Sequence, residues 1–390
     1  MRHPPNDTPT THKNRHSLRI ATYACASLIA CASLTPACST SPDLAAASEQ
    51  DPGSVLSTDQ GPLDPAYPTG TTSLTFTYDT TDQNQKAVPS SGLLLIPPGT
   101  APPSGWPIVA WDHGTTGLGD DCAPSRKPGA WYPQPLGEFL RNGYAVVATD
   151  YVGLGTSGIH PYLIADSAGR ATIDSVRAAL QIDDTLASTW VSVGHSQGGQ
   201  ASWATNELAA SYGSGLDYRG GVALAPVAPL STEIDQLASS SDPVFQAYYA
   251  MVLVGLRTQH EFEYSDYLGE LAQSTLPSVE SLCNYDLLNY FTSRNLPGDQ
   301  FAFRSPDARE RLINWLVQYE ITRTQLSAPL LVLHGTADQD TPIEGSEKAI
   351  AAARRLGGTV DFTQYPGVTH DEIVNAGLPQ TLMWLKEVGK

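Results

Sequence analysis

Basic residues are scarce in this chain. Against 40 Asp and Glu stand 22 Lys and Arg, a formal net charge of −18. A surplus of this size repels phosphate backbones and anionic bilayers, which excludes a nucleic-acid partner and electrostatic docking on a membrane surface. Charged residues of both signs reach only 16%, while Gly (33) and Pro (30) are plentiful, so a coiled coil or a long disordered arm is excluded in favour of a compact, loop-rich body. Past the first forty or so residues, even the most apolar stretch, Pro243 to Arg257, is too short to span a bilayer. Clusters of His, Cys and Asp at ligand spacing are missing, so metal chemistry has no support, and no cofactor is expected. No Asn-x-Ser/Thr sequon follows the leader, which leaves nothing pointing to N-glycosylation.

Cysteine is also sparse, and its placement is informative. Cys25, Cys31 and Cys38 fall near the N-terminus, and only Cys122 and Cys283 lie in the body. The first 19 residues are polar and basic, and Ile20 to Ala37 is small, apolar and uncharged. That is the n-region and h-region order of a secretory signal. Residues 1–38 are therefore expected to be a leader. It has two endings: cleavage before a lipidated Cys38 would anchor the protein at the outer face of a membrane, and cleavage further on, for example after Ala47, would release it. An even cysteine pair in an exported body suggests one disulfide, the alternative being two buried free thiols. Residues 39–70, rich in Ser, Pro, Asp, Thr and Ala, read as a disordered or extended linker.

The rest of the chain is organised around Trp190-Val-Ser-Val-Gly-His-Ser-Gln-Gly-Gly-Gln200. An apolar strand runs into Gly194-His195-Ser196-Gln197-Gly198, and a helix-compatible segment follows. G-x-S-x-G between strand and helix is the setting of a nucleophile elbow. Gly194 and Gly198 leave space where a β-carbon would strike the neighbouring strand and helix, and Ser196 stands clear at the apex. The Gln197 amide then lies at a helix N-terminus, facing developing negative charge. The bare pattern is weak in a glycine-rich chain; its flanks and partners carry the weight.

Around it, apolar runs at 72–78, 93–96, 107–111, 144–150, 220–224, 329–333 and 359–365 read as strands. Helical spacing covers 166–182, 200–212, 344–355 and 378–388. Alternation of this kind predicts an α/β fold with a mostly parallel, doubly wound sheet, whose functional groups gather at the carboxyl ends of strands. The alternation breaks between about 226 and 327, where amphipathic helical pieces replace it. The expected layout is a hydrolase core in two parts, 71–225 and 328–390, interrupted by a helical cap, 226–327.

A serine nucleophile needs a base to take its proton and an acid to orient the base. On an α/β-hydrolase scaffold the chain order is Ser, acid, His. Of the histidines well beyond Ser196, His334 ends a strand directly and reads as a turn-former. His370, in Gly367-Val-Thr-His370-Asp371, lies beyond the last strand and is the candidate base. Asp338, in the loop after the preceding strand, is the candidate acid, with Asp340 its rival. The second oxyanion donor is expected in His113-Gly-Thr-Thr-Gly117 after an early strand: the Thr115 amide, with Thr116 as runner-up.

With these residues in place, the chain resembles the secretory lipase family (lipase A type) of α/β-hydrolases. The resemblance rests on Asp121-Cys-Ala-Pro-Ser125, Asp150-Tyr-Val-Gly-Leu-Gly155, His160-Pro-Tyr162 and Gly194-His-Ser-Gln-Gly-Gly199, and runs from about Leu93 to the C-terminus. It implies a helical cap between the sixth and seventh core strands, a Ser-Asp-His triad, and a disulfide joining Cys122 to Cys283 in the cap. One departure is His195, where fungal members often carry Tyr. The expected protein is thus a secreted serine carboxylic-ester hydrolase, acting through an acyl-enzyme on a small-molecule or lipid ester. The apolar segment with Phe245, Tyr248, Tyr249, Met251 and Leu253 would form an acyl-binding wall. The alternative is a serine peptidase or amidase of the same fold. An inactive surface lipoprotein on this scaffold is disfavoured by the intact order of Ser, Asp and His.

Overall fold

The computed structural model describes residues 51–82, 84–127 and 132–389. The leader expected over 1–38, with Cys38, lies outside the described residues. One nine-stranded sheet organises the body, in the order β1-β2-β3-β5-β4-β6-β7-β8-β9. The strands are β1 (Val55–Gln60), β2 (Thr72–Thr81), β3 (Ala87–Ile96), β4 (Trp106–Asp112), β5 (Ala145–Thr149), β6 (Leu186–His195), β7 (Asp217–Leu224), β8 (Leu330–Gly335) and β9 (Val360–Tyr365). From β5 through β9 all neighbours are parallel, whereas β1, β2 and β3 form an antiparallel meander that joins β5 antiparallel.

The helices are α1 (Pro133–Arg141), α2 (Ala165–Ile182), α3 (Gln197–Tyr212), α4 (Ile234–Leu237), α5 (Pro243–Arg257), α6 (Glu270–Gln273), α7 (Leu276–Ser281), α8 (Asn284–Arg294), α9 (Pro306–Tyr319), α10 (Ile343–Arg355), α11 (Glu372–Ala376) and α12 (Leu378–Val388). Strand β4 shows why the sheet must be covered twice. Val109 and Trp111 pack with Phe139 of α1 and Leu385 of α12, while Ile108 and Ala110 pack with Ile173 and Val176 of α2. Successive side chains of a strand point to opposite faces, so a continuous apolar run demands a helix layer on each.

Two expectations need correction. The linker read over 39–70 is sheet in its later part: Val55–Gln60 pairs antiparallel with β2. Its exposed side chains (five of its six residues) mimic a tether, because an edge strand is held by backbone hydrogen bonds that composition does not reveal. Helix α1 was also absent from the expectation, its start hidden by Pro133 and Pro135; Pro is tolerated in a first turn, where the missing N–H has no partner to lose.

Between β7 and β8 the chain leaves the sheet and forms α4 to α9. Helix α5 starts where Asp242 accepts a hydrogen bond from the Val244 amide and Pro243 takes the first position. Its inward residues Leu253 and Val254 share an apolar centre with Phe291, Phe301 and Leu312, all fully buried. Each such side chain contributes about 1.5–3 kcal/mol on burial. A disulfide, Cys122–Cys283, connects the segment after β4 to the N-terminus of α8. No helix among the described residues is long and apolar enough to cross a membrane.

Candidate active site

Ser196 sits between β6 and α3 with φ 59° and ψ −120°. A non-glycine residue in this region carries strain of order 1–3 kcal/mol, which the surroundings must over-determine. They do so through close packing. A β-carbon on Gly194 would lie 2.0 Å from the Gly198 carbonyl oxygen, and one on Gly198 would lie 1.9 Å from the Asp112 carbonyl oxygen. The Ser196 amide donates to Leu224 O, and its carbonyl accepts from the Gln200 and Val227 amides. The serine is thus clamped between β7 and the first turn of α3, whose early amides have no intrahelical acceptor.

His370 follows β9 and Asp338 follows β8. Their side chains meet: Nδ1 of His370 donates to Oδ2 of Asp338 at 2.7 Å. Asp340, the rival acid, does not take that place; its amide donates to Asp338 Oδ1, as does the Thr341 amide. His334, read as a turn-former, approaches the same carboxylate oxygen at 3.1 Å and also contacts Ser346 Oγ and the Thr341 carbonyl. Burial by itself would raise the Asp338 carboxyl, but hydrogen bonds from His334 and His370, the His370 charge and the Thr341 amide hold it well below the usual carboxylate range. For His370, burial works against the charged form, yet the hydrogen bond and charge of Asp338, with Asp340 and Asp371 nearby, raise it above an ordinary histidine. The pair suits a ring that must accept and carry a proton.

Ser196, His370 and Thr115 line one cavity. Its far wall comes from the inserted helices, with Leu237, Phe245, Tyr248 and Val252 facing it. Of the apolar wall expected from α5, only Phe245 and Tyr248 take part. Tyr249, Met251 and Leu253 are buried in the inserted layer's own centre; residues 245, 248 and 252 share one helical face, 251 and 253 flank it on either side, and 249 lies at its edge.

The two expected oxyanion donors are both braced by side chains. Thr115 Oγ1 and the Tyr162 hydroxyl are 2.8 Å apart. The Gln197 side-chain Nε2 donates to His160 Nε2 at 2.8 Å, and His160 Nδ1 donates to the Val152 carbonyl at 2.8 Å. That bond leaves Nε2 as the acceptor of a neutral ring, and burial pushes His160 down to about 4. The carbonyl of Thr116, the runner-up, accepts from the Asn284 amide of α8. The contributions of His160, Tyr162, His334 and Thr341 were not visible in the sequence as site features, although His160 and Tyr162 stood in a quoted motif. Among the described residues no group of three or more His, Cys, Asp or Glu could hold a metal ion.

The sheet order, the strained serine after β6 and the helical insertion define an α/β-hydrolase. Solved structures agree on the fold. Candida antarctica lipase A superposes with a TM-score of 0.72 at 18% identity, over 87% of this chain and 82% of that one. The rice cell wall degrading esterase LipA of Xanthomonas oryzae gives 0.69 at 22% identity, over 87% of this chain and 98% of that one. No curated protein is a recognisable sequence relative. The family model for secretory lipases matches residues 135–388, and the chain belongs to that family. The match begins later than Leu93, so the loop with Thr115 and Cys122 lies upstream of it. Membership makes the protein a carboxylic-ester hydrolase of the lipase and esterase kind.

Proposed function

We propose that Ser196, His370 and Asp338 are the catalytic triad of a secreted serine esterase that works through an acyl-enzyme. His370 takes the Ser196 hydroxyl proton as the oxygen attacks the ester carbonyl. Asp338 orients the ring and stabilises the imidazolium that forms. The Thr115 and Gln197 amides receive the oxyanion. The imidazolium returns its proton to the alcohol, which leaves; a water then attacks the acyl carbon as it gives a proton to His370, and His370 passes that proton to Ser196 Oγ as the acid is released. The observation that carries this reading is the 2.7 Å contact between His370 and the buried Asp338, with His370 opening beside the strained Ser196 into one cavity.

The cavity wall favours an acyl chain against Phe245, Leu237 and Val252. Glu233 and Asp340 lie on the same cavity, and they favour the second reading, an amidase or peptidase whose substrate bears an amine. Hydrolysis of p-nitrophenyl esters from acetate to palmitate, beside peptide p-nitroanilides, separates the two. Ester turnover that vanishes in Ser196→Ala is the expected result; anilide turnover alone would replace it with the amidase. On the export reading, a lipid on Cys38 would anchor the mature enzyme, and the mass of its mature N-terminus distinguishes anchored from released protein.

A further inference from the structure

The residue before the nucleophile has no assigned part in the reaction above, yet it touches the base's own backbone. His195 Nε2 lies 2.9 Å from the His370 carbonyl oxygen, and His195 Nδ1 lies 2.8 Å from the Tyr132 hydroxyl. A carbonyl can only accept, so Nε2 carries the hydrogen. In a neutral ring Nδ1 is then the acceptor, and the Tyr132 phenol is its donor. We propose that His195 and Tyr132 are positioning residues that seat the His370 loop over Ser196, through the hydrogen bonds Tyr132 Oη–H to His195 Nδ1 and His195 Nε2–H to the His370 carbonyl.

Three observations support this arrangement. First, the chain is built at close quarters: a β-carbon on Gly114 would fall 2.7 Å from the Tyr132 hydroxyl oxygen, so the glycine of the oxyanion loop also admits the phenol. The ring of Tyr132 is held edge-on by Trp111, with centroids 5.0 Å apart. Second, His370 stands on a loop, whereas His195 ends a central strand and cannot drift. The loop is also tied through the Asp338 contact of the His370 ring, the Ala337 amide to Val368 O and the Gly367 amide to Thr336 Oγ1, but the bond from His195 is the one that reaches the His370 carbonyl from the strand carrying Ser196. Third, the His195 and His370 rings are 4.6 Å apart. A second cation there would oppose the imidazolium that forms at His370. Burial, then the neighbouring His370 charge, push His195 down to about 3, which keeps it neutral beside the base. The titratable groups facing His195 are His370, Asp338 and His334; those facing His370 also include Asp340 and Asp371; Asp371 and Tyr248 face Tyr132.

The inference rests on the reading of Ser196 and His370, which Ser196→Ala tests alone: residual ester turnover there would sink that reading whatever His195 does. The test of the present proposal uses the full-length enzyme, one soluble short-chain p-nitrophenyl ester, and three variants. His195→Phe removes both hydrogen bonds, His195→Gln keeps an N–H donor toward the carbonyl, and Tyr132→Phe removes only the phenol. His195→Phe is expected to lower kcat roughly tenfold to a hundredfold with KM within about twofold. The acid limb of kcat/KM should move toward the ordinary histidine value as His370 loosens from Asp338. His195→Gln should recover most of kcat, and Tyr132→Phe should lose about fivefold. Folded His195→Phe with wild-type kcat and an unmoved acid limb would overturn the proposal. So would equal loss in the Phe and Gln variants, which would mark packing alone. Should His195→Phe fail to fold, unchanged kcat and acid limb in both Tyr132→Phe and His195→Gln would overturn it equally.

Discussion

Removing the disulfide should cost stability and activity by separable amounts. Cys122 and Cys283 are 161 residues apart, so their bond closes a loop that contains β5, β6, β7 and four of the six inserted helices. In the chain-entropy account, a loop of that length restricts the unfolded ensemble by about 5 kcal/mol at 25 °C, and measured values for native bonds usually fall at 2–5 kcal/mol. Cys122 is buried against Ala123 and Leu154, so a serine there would add an unpaired hydroxyl to the loss. The cleaner perturbation is Cys122→Ala with Cys283→Ala. Its unfolding free energy in urea is expected to fall by about 3–5 kcal/mol. The second effect is local. Gly117 bridges to Cys283, and the Asn284 amide donates to the Thr116 carbonyl at 2.8 Å. The crosslink therefore holds the N-terminus of α8 against the loop that carries Thr115. Activity per folded molecule should drop as well, read as kcat/KM at a temperature where the variant is fully folded. A loss below about 1 kcal/mol, with unchanged kcat/KM, would refute the idea that this bond constrains either the chain or the loop.

Asp338→Asn should reduce kcat by about 10³- to 10⁴-fold, since it withdraws the charge that orients and stabilises the His370 ring, while Asp340→Asn should stay within about threefold; steady-state ester kinetics decide, and the reverse ranking would reassign the acid. Because His370 is raised and must be neutral to accept a proton, kcat/KM should fall as pH drops through a value above the ordinary 6.5. A limb at or below 6.5 in the pH profile would contradict the Asp338 contact. Gly198→Ala should yield no soluble, folded enzyme, because its β-carbon would sit 1.9 Å from the Asp112 carbonyl oxygen; a normal melting curve would show that the elbow can yield. Phe245→Ala should shift the ester chain-length preference, whereas Met251→Ala, buried away from the cavity, should lower thermal stability and leave the preference alone.

Much of the frame was readable without coordinates because it rests on local chemistry. Alternating apolar residues in β2 and the apolar runs of β4, β5 and β8 state how a strand is buried, and helical spacing in α2 states which face is covered. Gly194 and Gly198 flank a strand-to-helix turn that lifts a serine clear of the backbone. The interruption after β7 shows as a loss of alternation. Strand β1 escaped this logic, since an exposed edge strand carries no apolar signature. The antiparallel start of the sheet escaped it too, because direction is a property of pairs of strands and no single strand reports it.

What the amino-acid order determined, then, is the class of chemistry: a serine at a strand-to-helix apex, an acid and a histidine after later strands, and an even cysteine pair in the body. Tertiary structure decided the pairings. It put Asp338 rather than Asp340 against His370, and brought His334 to the same carboxylate. It also turned Phe245 and Tyr248 toward the cavity while burying Tyr249 and Met251. It joined Tyr132, His195 and the His370 carbonyl, residues up to 238 positions apart in number, into one chain of hydrogen bonds. The reason is physical: periodicity and turn chemistry act over a few residues, whereas a hydrogen bond forms only where folding brings a donor and an acceptor within about 3 Å.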